Sequence, residues 1–207
     1  MKLIIFGATG SIGKQVVNQA LEQGHQVTAF VRTAAKMAIE HDNLHISLGD
    51  VMDPISVESA IKSHEAVLVS IGAGRKGTVR SDGTSNIIKA MKKVGVRRLI
   101  CQSTLGVGSS RGNLNALWKY IMFGLVLRPA YADHVQQEAH VIKSGLDWTI
   151  VRPGAFIDGE LTGQYKHGFP GTDKTTKLKI SRNDVADFML KQLFDTKYLH
   201  KMPGLSY

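Results

Sequence analysis

The first thirteen residues, MKLIIFGATGSIG from Met1 to Gly13, decide the fold of this 207-residue chain. The unbroken apolar run 3–6 is typical of a strand that is buried on both faces of a parallel sheet. Gly7, Gly10 and Gly13 follow at once, and apolar residues then recur at helical spacing. A strand, a glycine-rich turn and a helix N-terminus together form a site for anions, because free N–H groups and the positive end of the helix dipole point outwards there.

The spacing of the glycines indicates which anion is bound. Gly7 permits the tight turn, Gly10 lets the backbone approach a pyrophosphate, and Gly13 allows the helix to pack closely on the strand. The pattern is G-x-x-G-x-x-G rather than the G-x-G-x-x-G of ordinary dehydrogenases, and a glycine triplet alone also fits a plain turn between strand and helix. Its position between a buried strand and an amphipathic helix favours a dinucleotide-binding site.

The composition is that of one globular domain, with 43% hydrophobic and 21% charged residues. No apolar run reaches the length of a membrane span, and the first residues already read as a core strand. We therefore expect no membrane partner and no signal or transit peptide. Cys101 is the single cysteine and cannot form an internal disulfide, which suits a cytoplasmic protein.

The net charge of +9 has two interpretations. It is compatible with nucleic-acid binding, but the basic residues are scattered and no basic block is interleaved with aromatic residues. We therefore expect no nucleic-acid partner. The charge instead predicts a positive field that attracts anionic small molecules, phosphorylated cofactors included.

Strand and helix patterns alternate along the chain. Strands are predicted at 26–31, 44–48, 66–71, 99–102 and 147–151, and helices at about 54–61, 80–94 and 131–144, with a short strand at 175–180 and a closing helix at 182–194. This order predicts a single-domain α/β Rossmann fold over residues 1–207, with a doubly wound, mostly parallel sheet flanked by helices. We expect loops at about 104–130 and 153–176 to build the substrate site at the carboxyl edge of the sheet.

The end of the second strand indicates the cofactor. NAD sites usually place an acidic residue about twenty residues beyond the glycines, but Arg32 and Thr33 stand there, with Lys36 one turn later. A guanidinium pairs with a 2′-phosphate through two hydrogen bonds, whereas a carboxylate would repel it. Arg32 is alternatively a solvated loop residue. Given the glycine turn, we favour NADPH and NADP⁺.

Polar residues follow other strands at the same edge. Asp50 is placed either to accept a hydrogen bond from adenine or to cap a turn. Arg75 lies on a glycine-rich loop, where it is equally suited to clamp a phosphate or carboxylate and to be a solvated charge. Ser103 and Thr104 end the fifth strand, so their hydroxyls should reach a bound nicotinamide or substrate.

The segment 105–130 breaks the alternation. A glycine- and serine-rich stretch precedes crowded apolar and aromatic residues, among them Trp118. The segment is either a buried helix or a movable apolar wall for a flat substrate, and each interpretation fits part of it.

Several motifs, spread over nearly the whole chain, carry a family resemblance. They are GATGSIG (7–13), LGDV (48–51), QSTLGV (102–107), SGLDWTIVRP (144–153), LTGQY (161–165) and ISRNDVADFML (180–190). Together they resemble the atypical, NmrA-like short-chain dehydrogenase/reductases. Within these, the last two motifs are most similar to the family of biliverdin reductase B and NADPH-dependent flavin reductase.

The resemblance and the residue patterns together give the candidate site. The candidates for cofactor binding are Gly7, Thr9, Gly10, Ser11, Ile12, Gly13, Arg32, Lys36, Asp50, Val51, Ile71, Gly72, Ala73, Arg75, Arg80, His134, Pro153 and Ala155. The candidates for catalysis are Thr104, which aligns with the family's active-site serine, and Ser103. The candidates for substrate binding are Arg75, Trp118 and Phe156, and no metal ligand is expected.

Two departures from related families bear on the chemistry. The Tyr-x-x-x-Lys pair of ordinary short-chain enzymes is absent, because Ala130 and His134 stand where it would fall, and Ala155 replaces a family histidine. Carbonyl reduction of the alcohol-dehydrogenase type needs a phenol beside a cation that lowers its pKa, so it is disfavoured.

Reduction of a flavin or of biliverdin needs mainly stacking and orientation. The resemblance therefore implies an NADPH-dependent flavin or biliverdin reductase with a planar small-molecule substrate, acting as a monomer. The alternative is a non-catalytic NmrA-like NADP(H) sensor that binds a partner protein.

Overall fold

An eight-stranded sheet forms the centre of the molecule. The computed structural model describes residues 1–74 and 77–207. Eight of the strands in these ranges form the large sheet, and two form a small separate one. The strands are β1 (Lys2–Phe6), β2 (Gln26–Val31), β3 (Leu44–Leu48), β4 (Ala66–Val69), β5 (Arg98–Gln102), β6 (Asp147–Pro153), β7 (Ala155–Ile157), β8 (Lys166–His167), β9 (Lys179–Ser181) and β10 (Gly204–Ser206). The order is β3-β2-β1-β4-β5-β6-β10-β8, with β7 and β9 paired separately. Of the paired neighbours, β10 and β8 run antiparallel and the others run parallel. The predicted doubly wound, mostly parallel Rossmann-like sheet is confirmed.

The helices cover both faces of this sheet. They are α1 (Gly13–Glu22), α2 (Pro54–Ile61), α3 (Val79–Val94), α4 (Arg128–Ile142) and α5 (Arg182–Lys191). Alternate residues of β1 explain the two layers, since Leu3 and Ile5 join a core with α1 and α5, whereas Ile4 and Phe6 join a second core with α2 and α3. In the described ranges no helix is long and apolar enough to cross a membrane.

Local signals in the sequence explain where two of the helices begin. Asp53 precedes α2, and its carboxylate accepts hydrogen bonds from the amides of Ile55 and Ser56 at 3.0 and 3.3 Å. Pro54 then occupies the first helical position, where its missing N–H costs nothing. Ser181 caps α5 in the same way, accepting from the amide of Asp184 at 3.0 Å.

The carboxyl-terminal third departs from the prediction. The strand predicted at 175–180 is instead Lys179–Ser181, and it pairs with β7 rather than joining the large sheet. β10 extends the large sheet next to β6, but three residues, Gly-Leu-Ser, are too short to show a strand period. The helix predicted from 131 begins at Arg128, because Pro129 fits its first turn.

The segment over residues 105–130 forms two irregular helices. A 3₁₀-helix spans Gly108–Asn113, and a π-helix spans Leu117–Val126. The alternative of a buried helix is wrong for the π-helix, because none of its residues is buried and Tyr120 and Leu125 are 67% and 75% exposed. Trp118 and Phe123 of the π-helix line a cavity together with Gly10 and Gly72, so the π-helix lies over the carboxyl edge of the sheet instead of against one of its faces.

Candidate functional site

The glycine turn lies at the carboxyl end of the central strand. Phe6 pairs with Phe30 of β2 on one side and with Val69 of β4 on the other. Gly7 has φ +81°, and a Cβ atom on it would overlap the carbonyl of Ser70, while one on Gly13 would overlap the carbonyl of Gly7. The turn can therefore take this shape only with glycine at these two positions.

The first turn of α1 is open to a ligand. Gly10 donates its amide to the Gly7 carbonyl at 2.9 Å, which closes the turn before the helix. Ile12 occupies the N-cap position, and no described side chain caps the helix there. The first turn also lacks an acidic residue. The amide of Lys14 already donates to the carbonyl of Gly10 at 2.9 Å, and the amides that precede it at this helix start are available to an external anion such as a pyrophosphate.

A cavity of about 450 Å³ lies between the glycine turn and the segment over the carboxyl edge. It brings together thirteen of the candidate residues: Gly10, Ser11, Ile12, Ile71, Gly72, Arg80, Ser103, Thr104, Trp118, His134, Pro153, Ala155 and Phe156. Gly7, Thr9, Gly13, Arg32, Lys36, Asp50, Val51 and Ala73 lie outside its lining. Arg75 lies outside the described residues.

Ser103 and Thr104 directly follow β5, and both hydroxyl-bearing residues line the cavity. Ser103 is held by its amide, which donates to the carbonyl of Val151 at 2.8 Å. The Oγ atom of Ser103 lies 3.5 Å from Nδ1 of His134 on α4. Thr104 is half-buried, and its Oγ1 atom makes a long contact of 3.4 Å to the carbonyl of Leu105. Its hydroxyl can therefore turn towards a ligand at little cost.

The imidazole of His134 is neutral at physiological pH. Loss of solvation around the ring, and then the nearby guanidinium of Arg80, lower the pKa of His134 to about 3. A neutral imidazole accepts or donates a hydrogen bond but supplies no positive charge. His134 therefore lines the cavity at the place of the usual lysine without reproducing its charge.

A buried ion pair fixes the charge next to His134. Nη1 of Arg80 on α3 donates to Oδ2 of Asp133 at 2.8 Å, and the other oxygen of Asp133 accepts from the amide of Ser81 at the same distance. Arg80 and Asp133 are both buried. Burial lowers the pKa of Arg80, and Asp133 opposes this shift. The pair holds α3 against α4 beneath the cavity.

A second buried ion pair, which the sequence did not indicate, holds the cavity wall. Arg152 on β6 donates to both carboxylate oxygens of Glu138 on α4, at 2.9 and 2.6 Å. A third donor, Nη1 of Arg152, reaches Oγ of Ser109 at 3.1 Å. One guanidinium therefore joins the sheet, α4 and the 3₁₀-helix that precedes the π-helix. Only the spatial pairing, and no sequence motif, identifies this role.

Three aromatic rings form one wall of the cavity. The ring of Phe123 lies 5.7 Å from that of Trp118 and 5.1 Å from that of Tyr131, measured between centroids. The hydroxyl of Tyr131 donates to the carbonyl of Gly106 at 3.3 Å and accepts from Arg111 at 3.5 Å. Tyr131 was not among the candidate residues. The signal that could have identified it is its place directly after Ala130, the position at which the Tyr-x-x-x-Lys pattern would put its tyrosine.

The predicted contacts of the adenosine end lie beside the glycine turn. Arg32 and Lys36 are exposed just beyond β2. Asp50 makes a turn, because its Oδ1 accepts from the amide of Met52 at 2.9 Å, which is the second of the two roles open to it. The carbonyl of Val51 accepts from Asn86 at 3.0 Å, which fixes this loop against α3. The binding roles of these residues remain predictions.

Comparison with known proteins identifies the fold and the family. A family model described as NAD(P)H-binding matches residues 7–196. Among curated proteins, the photosystem II assembly factor Ycf39 of Synechocystis is 28% identical over 93% of this chain and 55% of its own length.

Solved structures share the architecture at low identity. A short-chain dehydrogenase/reductase of Veillonella parvula in complex with NADP has a TM-score of 0.85 and 20% identity, and the match covers all of this chain and 94% of that one. The anaerobilin reductase ChuY of Escherichia coli O157:H7 has a TM-score of 0.81 and 22% identity, with coverage of 100% and 97%. At these identities the likeness shows the fold alone.

Proposed function

This chain belongs to the NAD(P)H-binding family, and from that premise we propose that it is an NADPH-dependent reductase of planar conjugated acceptors, such as a flavin or a bilin. The bound cofactor supplies the hydride. The protein binds and orients the two rings, excludes water and limits side reactions.

The preference for NADPH over NADH is supported by the loop after β2. Arg32 and Lys36 are exposed beside the glycine turn, and no Asp or Glu occurs between residues 26 and 39. A dinucleotide whose pyrophosphate lies on the first turn of α1 extends its adenosine ribose towards the end of β2. Two basic side chains there favour a 2′-phosphate.

The absence of the usual Tyr-x-x-x-Lys acid–base pair is the observation that favours a conjugated acceptor over a simple carbonyl. Ala130 and His134 both line the cavity, so the two positions of that pair face the ligand, but one has no acid and the other is neutral. The hydroxyl of Tyr131 is directed to the carbonyl of Gly106. The only cation that reaches this hydroxyl among the described residues is Arg111, through a long contact of 3.5 Å. A phenol that already donates to a carbonyl and has only this distant cation is a poor proton donor, which disfavours reduction of a simple carbonyl.

The cavity walls suit a flat ring. Trp118, Phe123 and Tyr131 form an apolar aromatic wall, and Phe156 faces the cavity from β7. Ser103 and Thr104 offer hydroxyls that would orient the nicotinamide amide or the acceptor. The fold is also that of an anaerobilin reductase, which motivates bilins as candidate acceptors. We propose that the substrate site is built by the segments 104–130 and 153–176, of which the second lines the cavity only through residues 153–156, together with Leu178 and Arg182.

A steady-state assay tests this function. NADPH oxidation is measured with FMN, riboflavin and biliverdin as acceptors, and NADH serves as the control donor. We expect turnover that needs an acceptor and prefers NADPH. An enzyme that binds NADPH but oxidises it with none of the three acceptors would contradict the proposal.

A second candidate function is a non-catalytic NADP(H) sensor that binds a partner protein. The missing acid–base pair and the likeness to the assembly factor Ycf39 favour it. This candidate predicts equal affinity for NADPH and NADP⁺, no turnover with any acceptor, and a stable complex with a partner protein.

A further inference from the structure

An arginine that the sequence did not single out lies at the rim of the cavity. Arg182 begins α5 and lines the cavity together with Phe156 and Leu178. Its guanidinium carbon lies 5.8 Å from the centre of the Phe156 ring, and its Nη1 atom donates to Asp158 at 2.7 Å. Because β7 and β9 pair in register, residues 158 and 182 leave the two strands side by side. The strand pairing therefore holds this guanidinium at the cavity.

The charge of Arg182 is poorly compensated. Arg80, the other arginine among the described lining residues, is paired with a fully buried carboxylate. The partner of Arg182 is a side chain that is 98% exposed, whereas Arg182 itself is 27% exposed. None of the described residues that line the cavity is Asp or Glu, and His134 is neutral. Water competes strongly for an exposed carboxylate, so the pair with Asp158 is weak.

A donor of Arg182 is also unused. Its Nε atom is buried, and no described residue accepts a hydrogen bond from it. A buried donor without an acceptor costs free energy, so the present position of the guanidinium is not its most favourable one. The charge, with a hydrogen bond only to an exposed carboxylate, matches a carboxylate or phosphate group of a ligand.

We infer that Arg182 is the anion-binding residue of the substrate cavity, and that the acceptor carries a carboxylate or phosphate beside its conjugated ring. The inference rests on the proposed function, since it names the substrate class of the same site. The ring would stack within the apolar walls, and its anionic substituent would reach the guanidinium over Phe156. The first turn of α1 and Arg32 are separate groups that suit the phosphates of the cofactor.

A pair of ligands isolates the anionic group. FMN and riboflavin share the same ring system, and FMN adds a phosphate. Their dissociation constants are measured by flavin fluorescence with protein that is saturated with NADP⁺. We expect Arg182→Gln to raise the Kd of FMN about tenfold or more, as for loss of a charge-assisted hydrogen bond. The Kd of riboflavin should change by less than about twofold, and Arg182→Lys should restore part of the FMN affinity.

A second variant separates ligand binding from a structural role. Asp158→Asn breaks the same ion pair but leaves the arginine, so it should lower the Kd of FMN about twofold to fivefold, the range for release of an exposed pair. If Arg182 only fixed the local structure, both variants would weaken binding. Opposite effects on FMN therefore identify the guanidinium as the binding group.

Each outcome decides between the two proposals. The inference is overturned if the wild type fails to bind FMN, or binds FMN and riboflavin equally. It is also overturned if Arg182→Gln raises the Kd of NADPH while the ratio between the two flavins stays constant. NADPH oxidation is followed in the same samples. Binding of FMN with the predicted responses but no oxidation would contradict the proposed function alone.

Discussion

Reversing the charge at the end of β2 should abolish the preference for NADPH. At about 4 Å in water, one pair of unit charges is worth about 1 kcal/mol. A 2′-phosphate of charge near −2 would thus lose about 2 kcal/mol of attraction and gain about 2 kcal/mol of repulsion in Arg32→Glu. Screening at physiological salt reduces this swing to roughly 2–3 kcal/mol, because Arg32 is exposed. The Kd of NADPH should therefore rise by about 30-fold to 150-fold.

Isothermal titration with NADPH and NADH measures this effect. The Kd of NADH, which lacks the 2′-phosphate, should change less than about threefold, within about 0.7 kcal/mol. Lys62→Glu makes the same change of net charge and is the matched control, because Lys62 is exposed and precedes β4 at the opposite, amino edge of the sheet. If Arg32→Glu leaves NADPH affinity unchanged, or weakens NADH equally, the role given to the loop after β2 is wrong.

Three further perturbations test the remaining parts of the site. Thr104→Ala and Ser103→Ala should each lower kcat about tenfold to a hundredfold, measured with saturating NADPH. A loss above about a thousandfold would instead identify the hydroxyl as a dedicated proton donor. Gly13→Ala should lower the free energy of unfolding by about 1–3 kcal/mol and weaken NADPH binding, because the added Cβ meets the Gly7 carbonyl. Chemical denaturation measures the first effect and titration with NADPH the second. Unchanged stability and affinity would show that the turn adjusts to the added Cβ without cost. His134 has its pKa lowered to about 3, so the folded state binds fewer protons than the unfolded state and stability falls as pH drops below about 6.5. His134→Gln should remove up to about 1.4 kcal/mol per pH unit from that slope between pH 4 and 6, and an identical slope in the variant would mean that His134 is not held neutral.

The fold was predictable where short-range signals agree with the long-range architecture. The apolar run before Gly7 specifies a central parallel strand, and Asp53-Pro54 specifies a helix start, and both are observed. β10 was missed, because its three residues acquire strand geometry only through pairing with β6. For the segment around Trp118 the sequence left two alternatives, and the buried helix was wrong for the π-helix. Apolar residues indicate burial in general and do not reveal whether a second layer exists to bury them.

The candidate site was predictable along the strand ends and not across the cavity. Residues that directly follow β1, β4 and β5 share one edge by topology, so Gly10, Gly72 and Ser103 were found together. Tyr131 and Arg182 come from helices whose positions depend on tertiary packing. Arg182 in particular could not be identified from the sequence, because its place at the cavity depends on the pairing of β9 with β7, which no sequence pattern indicates.

The most direct test of the central claim is an anaerobic single-turnover experiment. Protein loaded with NADPH is mixed with FMN, riboflavin or biliverdin, and the absorbances of the nicotinamide and the acceptor are followed together. Hydride transfer predicts that both decay at one rate, and that NADPH deuterated at C4 slows this rate. If the protein holds NADPH but all three acceptors stay oxidised, or if the acceptor decays without a matching loss of NADPH, the assignment of a reductase is contradicted.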